Sequence, residues 1–596
     1  MTGALAGALR LRGGPAPGDR LQSIVEGLRL PEGARLQTRE SGPCALGWAG
    51  DGGEHEGLVA AADGRPVGAG AQGAGALASA VREDGPEAPG RLAGQFAGAV
   101  WDPQAQRLVL VRDAGPTRSL FWAREDDLLL WASELRALRA GLRRPARLDE
   151  AALGAHVGCI SLADRARTFW HELRRVPAEH VLVAEAPAAQ AELRRASDVL
   201  SSPVRRDEPV ERLDRALAEA VADSALPADR LAIALSGGLD STTVGWHGAR
   251  ARGEAGVSLL DAYTLDYERF PDADEREYVE AALAAIPCRH HWLSGDRAYP
   301  LGDWPHTFAG EDEPPPTFGS VGALGLLRAA ARSGACGALT GHGSDNVLIA
   351  SPTQRLELLA RGGFVSDALA FRRRHGRLPP LALGHAARIT VLRHAPWVQR
   401  LRRHPPQLGL LRRDFVARSG LLDDMCLEGR VYGSDTSRRR TVRDSGSHRH
   451  QRRSEHLDSL GRQAGVELLH PFLDRRVMEV AASLPGEAVF GGGETKIALR
   501  RAMSGRLPDK VIDKRLPTGR GGPYAFALGP EGRGNVVSAL FADPVLGRLG
   551  VADPTVLRSA HDRFVQGDHS GLMRLISAVG CEIWLRRELG EPLPEG

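Results

Sequence analysis

The stretch LAIALSGGLDST, residues 231–242, restricts this chain more than any other. Residues 231–235 form a short apolar run, which reads as a buried strand. Residues 242–252 (TTVGWHGARAR) continue as a helix, so the glycine pair between them predicts a strand-to-helix turn. Gly237 and Gly238 carry no Cβ, so their amides can approach a ligand closely and take positive φ. The following helix aims its free N–H groups and positive dipole end at the same space, which suits a phosphate or pyrophosphate. Asp240 would repel a phosphate set directly against it, and makes chemical sense where a Mg²⁺ lies between the two anions. Gly-Lys-Ser/Thr and a spaced G-x-G-x-x-G are both missing from this loop, which excludes a Walker loop and a dinucleotide fingerprint. The bland alternative is an ordinary glycine turn capped by serine.

The neighbouring sequence sets the architecture. After PVERLDRALAEAVADSAL (209–226), with Val210, Leu213, Leu217 and Val221 on one helical face, strand and helix patterns alternate. They run through LAIAL, LLDAYTL (259–265), DEREYVEAALAAI (274–286) and GACGALT (334–340). That alternation calls for a parallel sheet with helices on both faces and a ligand at the carboxyl ends of the strands. The part before about residue 185 differs. GLVAAADG (57–64), FAGAVWD (96–102), RLVLVRD (107–113) and DLLLWAS (127–133) are short apolar runs between glycine and acidic turns, an antiparallel pattern in a layered sheet. Residues 184–208 form a polar, proline-punctuated joint. The expectation is an α/β chain of two domains, 1–200 and 201–596.

At 596 residues the chain exceeds one core, and its net charge of +3 carries no signature of nucleic-acid binding. Six cysteines (Cys44, Cys159, Cys288, Cys336, Cys426, Cys581) lie scattered without a C-x-x-C pair and read as reduced thiols. No basic start followed by a long apolar core opens the chain, and no later segment reads as a membrane span. A cytoplasmic protein with no membrane or nucleic-acid partner is expected. Of 77 basic residues only three are lysine, Lys496, Lys510 and Lys514, all in one short segment. A chain that uses arginine elsewhere keeps lysine where a compact ammonium is needed, or the cluster is chance. The arginine-rich stretches FRRRHG (371–376), LRRHPP (401–406), SRRRTVRD (437–444) and HRHQRRSE (448–455) read mostly as solvated faces, with a peptide-docking surface as the sharper alternative.

SGGLDS resembles the pyrophosphate loop of ATP-pyrophosphatase synthetases, above all the asparagine synthetase superfamily, which includes asparagine synthetase, β-lactam synthetase and the lasso-peptide cyclases. AYTLDYERFPDADEREYVEAAL, TGHGSDN (340–346), HPFLDRRVMEVAASLP (470–485) and ETKIALRRAM…LP (494–508) extend the resemblance over the carboxyl half. GQFAGAVWD…LVLVRDAGPTRSLFWA…LLLWASELRAL is similar to the family's amino-terminal glutaminase. The resemblance therefore implies an Ntn-hydrolase-like layered β/α domain, followed by an ATP-pyrophosphatase-type parallel-sheet synthetase domain. Two departures mark the first domain as a degenerate glutaminase. The nucleophilic cysteine at residue 2 is replaced by Thr2, and the Asn-Gly-Glu-type glutamine motif by AAADGRPVG (60–68).

The same resemblance implies ATP and Mg²⁺ as cofactors, and a reaction in which a carboxylate is adenylated and an amine then displaces AMP. Asp240 and Asp345 would hold the metal; Ser236, Gly237, Gly238 and Ser241 the pyrophosphate; Leu265, Thr340 and Gly341 the nucleotide. His342 stands where asparagine synthetases carry glutamate and β-lactam synthetases tyrosine. An imidazole near neutral pKa suits the base that deprotonates the amine, and a loop histidine bonding nearby backbone is the alternative. Lys496 matches the family's Lys-x-x-Leu-Arg helix, for phosphate contact or local structure. Lys514 would supply the catalytic cation, although strict register puts Leu516 or Pro517 at that place. A degenerate glutaminase beside an adenylating site implies an amine supplied by the substrate. The resemblance points to lasso-peptide cyclisation of a precursor peptide, with a leader-peptide-binding protein and a leader protease as further partners. A β-lactam-type small-ring synthetase, amidation by free ammonia and an inactive scaffold remain the alternatives.

Overall fold

The computed structural model describes residues 3–349, 408–425, 446–514 and 521–595, leaving aside 31–33, 69, 187, 227, 318, 492 and 493, together with Leu369, Arg372, Arg373 and Val442. Thr2 and most of the first three arginine-rich stretches lie outside the described residues.

Two antiparallel sheets stack face to face in the amino-terminal part. One, of six strands, has Ala4–Arg10 between Leu128–Ala132 and Cys44–Ala49. The other, of seven, has Ala93–Asp102 between Leu58–Gly68 and Arg107–Arg112. Alternate side chains of a strand point to opposite faces, and here both faces are dry. Leu5, Leu9, Trp48, Trp101, Leu108 and Leu110 fill the space between the sheets. Their neighbours Phe96, Val100, Val109 and Val111 turn outward onto the Gly73–Asp84 helix, which adds Ala74, Leu77 and Ala78. Ala6, Ala8 and Leu130 turn the other way, onto helices Gly18–Glu26 and Leu135–Ala140. The result is the expected layered domain, with helices outside two sheets. The last of its strands, Gln190–Arg195, is followed by a helix from Pro209.

The second part is built on a five-stranded parallel sheet in the order Cys288–Ser294, Leu260–Asp266, Leu231–Ala234, Gly337–Leu339, Glu467–Leu469. Leu231, Ile233, Leu260 and Leu339 face one core, and Ala232, Tyr263, Ala338 and Leu468 the other, so both sides are covered by helices. The chain runs outward from the central strand to one edge, then returns to build the other side. The strand order therefore reverses beside Leu231–Ala234, and at such a point the loops at the carboxyl ends diverge and leave a crevice.

The helix after the glycine pair starts at Leu239, three residues before the predicted 242, and runs to Glu254. Asp240 and Ser241 thus belong to its first turn, where an acidic side chain meets the positive end of the dipole.

HRHQRRSE corrects the reading of a solvated face in part: His448, Gln451, Arg452 and Glu455 are buried, while Arg449 and Arg453 stay exposed. It opens the His448–Ala464 helix, which is buried between the two parts. Arg112 pairs with Glu455 at 2.7 Å, Arg118 with Asp458 at 3.1 Å and Glu467 at 2.6 Å, and Arg175 with Glu313 at 3.0 Å and Glu455 at 3.2 Å. Arg452 of the same helix donates to the Pro314 carbonyl at 2.6 Å. Apolar packing crosses the same boundary. Trp584, on the carboxyl-terminal helix Leu572–Glu588, lies with its ring 6.0 Å from Phe169 and 5.8 Å from Trp170. Among the described residues no helix is long and apolar enough to cross a membrane.

Candidate active site

Two loops meet at the carboxyl ends of the strands Leu231–Ala234 and Gly337–Leu339. In the first, Gly237 has φ +63°, and a Cβ there would sit 2.5 Å from the Val279 backbone nitrogen, so only glycine fits. Gly238 takes ordinary extended angles as the helix cap. Ser236 and Ser241 close the loop on itself: the Ser236 amide donates to Ser241 Oγ at 3.2 Å, and the two hydroxyls lie 3.1 Å apart. The second loop presses on the first at Gly341, where a Cβ would lie 2.7 Å from the Ser241 amide nitrogen.

This crossing brings both aspartates to one cation. Lys496 Nζ lies 2.6 Å from Asp240 Oδ2 and 2.6 Å from Asp345 Oδ1. Ser344 Oγ donates to the other Asp240 oxygen at 2.8 Å. Burial alone would lower the Lys496 ammonium, but the two carboxylates outweigh it and hold the group above its ordinary range. Among the described residues no cluster of three or more His, Cys, Asp or Glu is placed to hold a metal. The protein thus offers two carboxylates, a donor set that suits Mg²⁺ when substrate phosphates complete its shell.

Leu265 and Ser236 line a cavity of about 270 Å³ with Tyr267, Glu275, Pro300 and Gly322. Thr340 and Gly341, predicted to line the same nucleotide, stand apart from that cavity at the loop crossing. Thr340 Oγ1 is hydrogen-bonded to His470 Nδ1 at 2.7 Å and accepts from the His342 amide at 3.2 Å. His470 is fully buried, and its own amide donates to Gln95 Oε1 at 2.7 Å, so the first domain braces the second loop.

His342 projects its ring toward His470, with centroids 5.0 Å apart. Its Nε2 is buried and has no hydrogen-bond partner among the described residues. Burial first, then His470, Arg453 and His450, hold this imidazole well below its ordinary pKa, away from the near-neutral value expected of it. Lys514 is not drawn to the aspartates. It pairs with Glu275 on the cavity wall and lies 4.1 Å over the Tyr278 ring.

Sequence reasoning does not single out Ser344, Glu275 or His470, though each sits inside a quoted motif. It also passes over a buried chain in which Ser320 Oγ lies 2.8 Å from His456 Nε2, and His456 Nδ1 2.9 Å from Glu311 Oε2. That is the order of nucleophile, base and orienting carboxylate. Ser320 is only 5% exposed, and the cavity beside His456 and Glu311 measures about 40 Å³, room for water and not for an acyl group. The chain of bonds therefore belongs to the packing between domains.

The comparisons with known proteins follow the same division. A glutamine amidotransferase domain matches residues 71–195, and an asparagine synthase domain matches residues 212–586. Amidase chry2 of Gibberella zeae is 25% identical over 275 residues, 43% of this chain and 39% of that protein. Amidase chyE of Penicillium rubens is 26% identical over 291 residues, 45% of this chain and 41% of that protein. The chain thus spans about two-fifths of the length of these amidases. Asparagine synthetase [glutamine-hydrolyzing] 3 of Bacillus subtilis is 22% identical over 458 residues, 74% of this chain and 68% of that protein. Among solved structures, glutamine phosphoribosylpyrophosphate amidotransferase of B. subtilis covers 48% of this chain and 80% of its own, at 13% identity and a TM-score of 0.24. With the synthase match running over most of its length, from residue 212 to residue 586, this chain belongs to the asparagine synthase family.

Proposed function

We propose that the chain is an ATP-dependent carbon–nitrogen ligase whose amine and carboxylate belong to one substrate. The specific reading is macrolactam closure in a ribosomal peptide: an Asp or Glu side chain is adenylated, and the peptide's N-terminal amine displaces AMP.

One observation carries the intramolecular part. Asp63 stands in the segment that replaces the glutamine motif, and its carboxylate is paired with Arg462 of the buried interdomain helix. The same guanidinium donates to the Gly3 carbonyl at 2.6 Å, and Ser133 Oγ donates to Asp63 at 3.2 Å. An arginine from the synthetase part thus fills the space between Gly3 and the segment that replaces the glutamine motif. This supports an amine that comes from elsewhere than glutamine.

The other site supports adenylation. Ser236, Ser241 and the amides of the first helical turn are set to bind pyrophosphate. Asp240 and Asp345 would hold Mg²⁺, which when bound neutralises charge building on the phosphates. Lys496, and Lys514 if it leaves Glu275, would supply the cations that steady a departing pyrophosphate. Leu265 and the cavity walls hold the base. His342 would be the base only if substrate binding relieved the burial that now weakens its imidazole and covers its Nε2.

The test uses the full chain with linear peptides, ATP and Mg²⁺. Ring closure should lower the peptide mass by one water, with one ATP becoming AMP and pyrophosphate. N-terminal acetylation should stop closure and spare adenylation. Release of glutamate from glutamine in step with product would overturn the intramolecular reading.

A further inference from the structure

We propose that Lys496 closes the divalent-cation position until the nucleotide arrives, so that metal enters only together with ATP. This rests on the reading of Asp240 and Asp345 as the pair that holds the metal.

The ammonium bridges the two carboxylates at 2.6 Å each, and it is held there by more than attraction. Lys496 caps the Ile497–Met503 helix with φ +59°, a left-handed conformation that a long side chain rarely takes. The short hairpin of Phe490–Gly491 with Glu494–Thr495 leads directly into it. The side chain is 9% exposed, so its stem is packed and its charged end rests between the two carboxylates. Ser344 fixes the second Asp240 oxygen from the other side. The residue type matters too. An ammonium is a compact point charge, whereas the guanidinium used almost everywhere else in this chain presents a planar fork.

Two carboxylates and one ammonium sum to a single negative charge. Mg²⁺ needs near-octahedral oxygens at about 2.0–2.1 Å. An ion bound to these same oxygens would lie close against the Lys496 ammonium and be repelled by it. With water alone to complete its shell, the metal gains little here. The nucleotide changes both sides of that balance. Its phosphates complete the shell of the metal and offer the ammonium new anionic oxygens, so Lys496 can leave the carboxylates without becoming an unpaired buried charge. Metal and nucleotide then raise each other's affinity by the same factor, as linkage requires.

The test is a Mn²⁺ titration of the full chain without nucleotide, followed by electron paramagnetic resonance. Wild type should show no saturable site in the submillimolar range, while K496Q and K496M should bind Mn²⁺ about tenfold more tightly or better, as expected from removing one like charge at contact distance. The two replacements differ in polarity, so one serves if the other fails to fold, as melting curves will show. The proposal is overturned if wild type alone binds Mn²⁺ at a site lost in D240N, or if neither folded variant gains affinity. Calorimetry of ATP with Mg²⁺ on wild type tests the underlying reading separately. No ATP binding there overturns the reading itself; ATP binding with unchanged metal affinity in the variants overturns only the role given to Lys496.

Discussion

At two places in this molecule a charged side chain arrives from a distant segment to meet aspartate, and the two places have opposite characters. Around Asp63 the visitor is Arg462, and both partners are about nine-tenths buried or more. Around Asp240 and Asp345 the visitor is Lys496, and Asp345 keeps 69% of its side chain exposed. The first arrangement is closed on all sides; the second leaves the Asp345 side open to solvent. An ion pair sealed on all sides serves packing, whereas one with an open flank can exchange a partner. The contrast separates a sealed contact between the two domains from a contact at the crossing of the two loops.

Variants should break the contrast cleanly. D240N should cost turnover on the order of 10²–10³-fold, the scale of losing one charge-stabilising contact in a transition state, with the chain still folded. A pyrophosphate-release assay beside a melting curve measures both. R462M should do the reverse. It leaves Asp63 buried without its counter-charge and should cost about 3–5 kcal/mol of stability in denaturant titrations. Adding D63L should return only part of that loss, because Asp458, which Arg462 also meets at 3.2 Å, then keeps Arg118 as its counter-charge. A weaker effect is expected from pH. Burial, then Arg118, hold His470 down at about 3, against an ordinary 6.5. The unfolded chain therefore takes up this proton first, and stability should fall as pH drops from about 6.5 toward 3. H470N, whose amide can still meet Thr340, should flatten that slope in melting curves. T2A should have the smallest effect, none on product formation or on glutamine, and a drop in product would reopen the first domain as a source of nitrogen.

Much of this can be read along the chain. The loop glycines and the strand beside them are local features, and so is the alternation that puts Leu108 and Val109 on opposite faces of one strand. The start of the helix at Leu239 escapes such a reading because serine, glycine and aspartate in a row look like a turn until the helix begins to count its own bonds. The burial of HRHQRRSE escapes it for a different reason. A helix rich in charge reads as solvated unless its partners are in view, and Arg112, Arg118 and Arg175, which meet its Glu455 and Asp458, lie hundreds of residues away. The same distance hides the target of Lys496, 256 residues from Asp240. Lys514 is expected at the phosphates, yet it pairs with Glu275, 239 residues away in the sequence.

The buried helix His448–Ala464 has one more consequence, for anyone who would cut this protein in two. A fragment ending near residue 200 would carry Arg112, Arg118 and Arg175 with their counter-charges left behind, and its complement would expose Glu455, Asp458 and Arg462 in the same way. Neither half is then a natural unit of expression, of unfolding or of hinge motion. The border so plain in the written sequence is, in the folded molecule, a seam sewn shut from the inside.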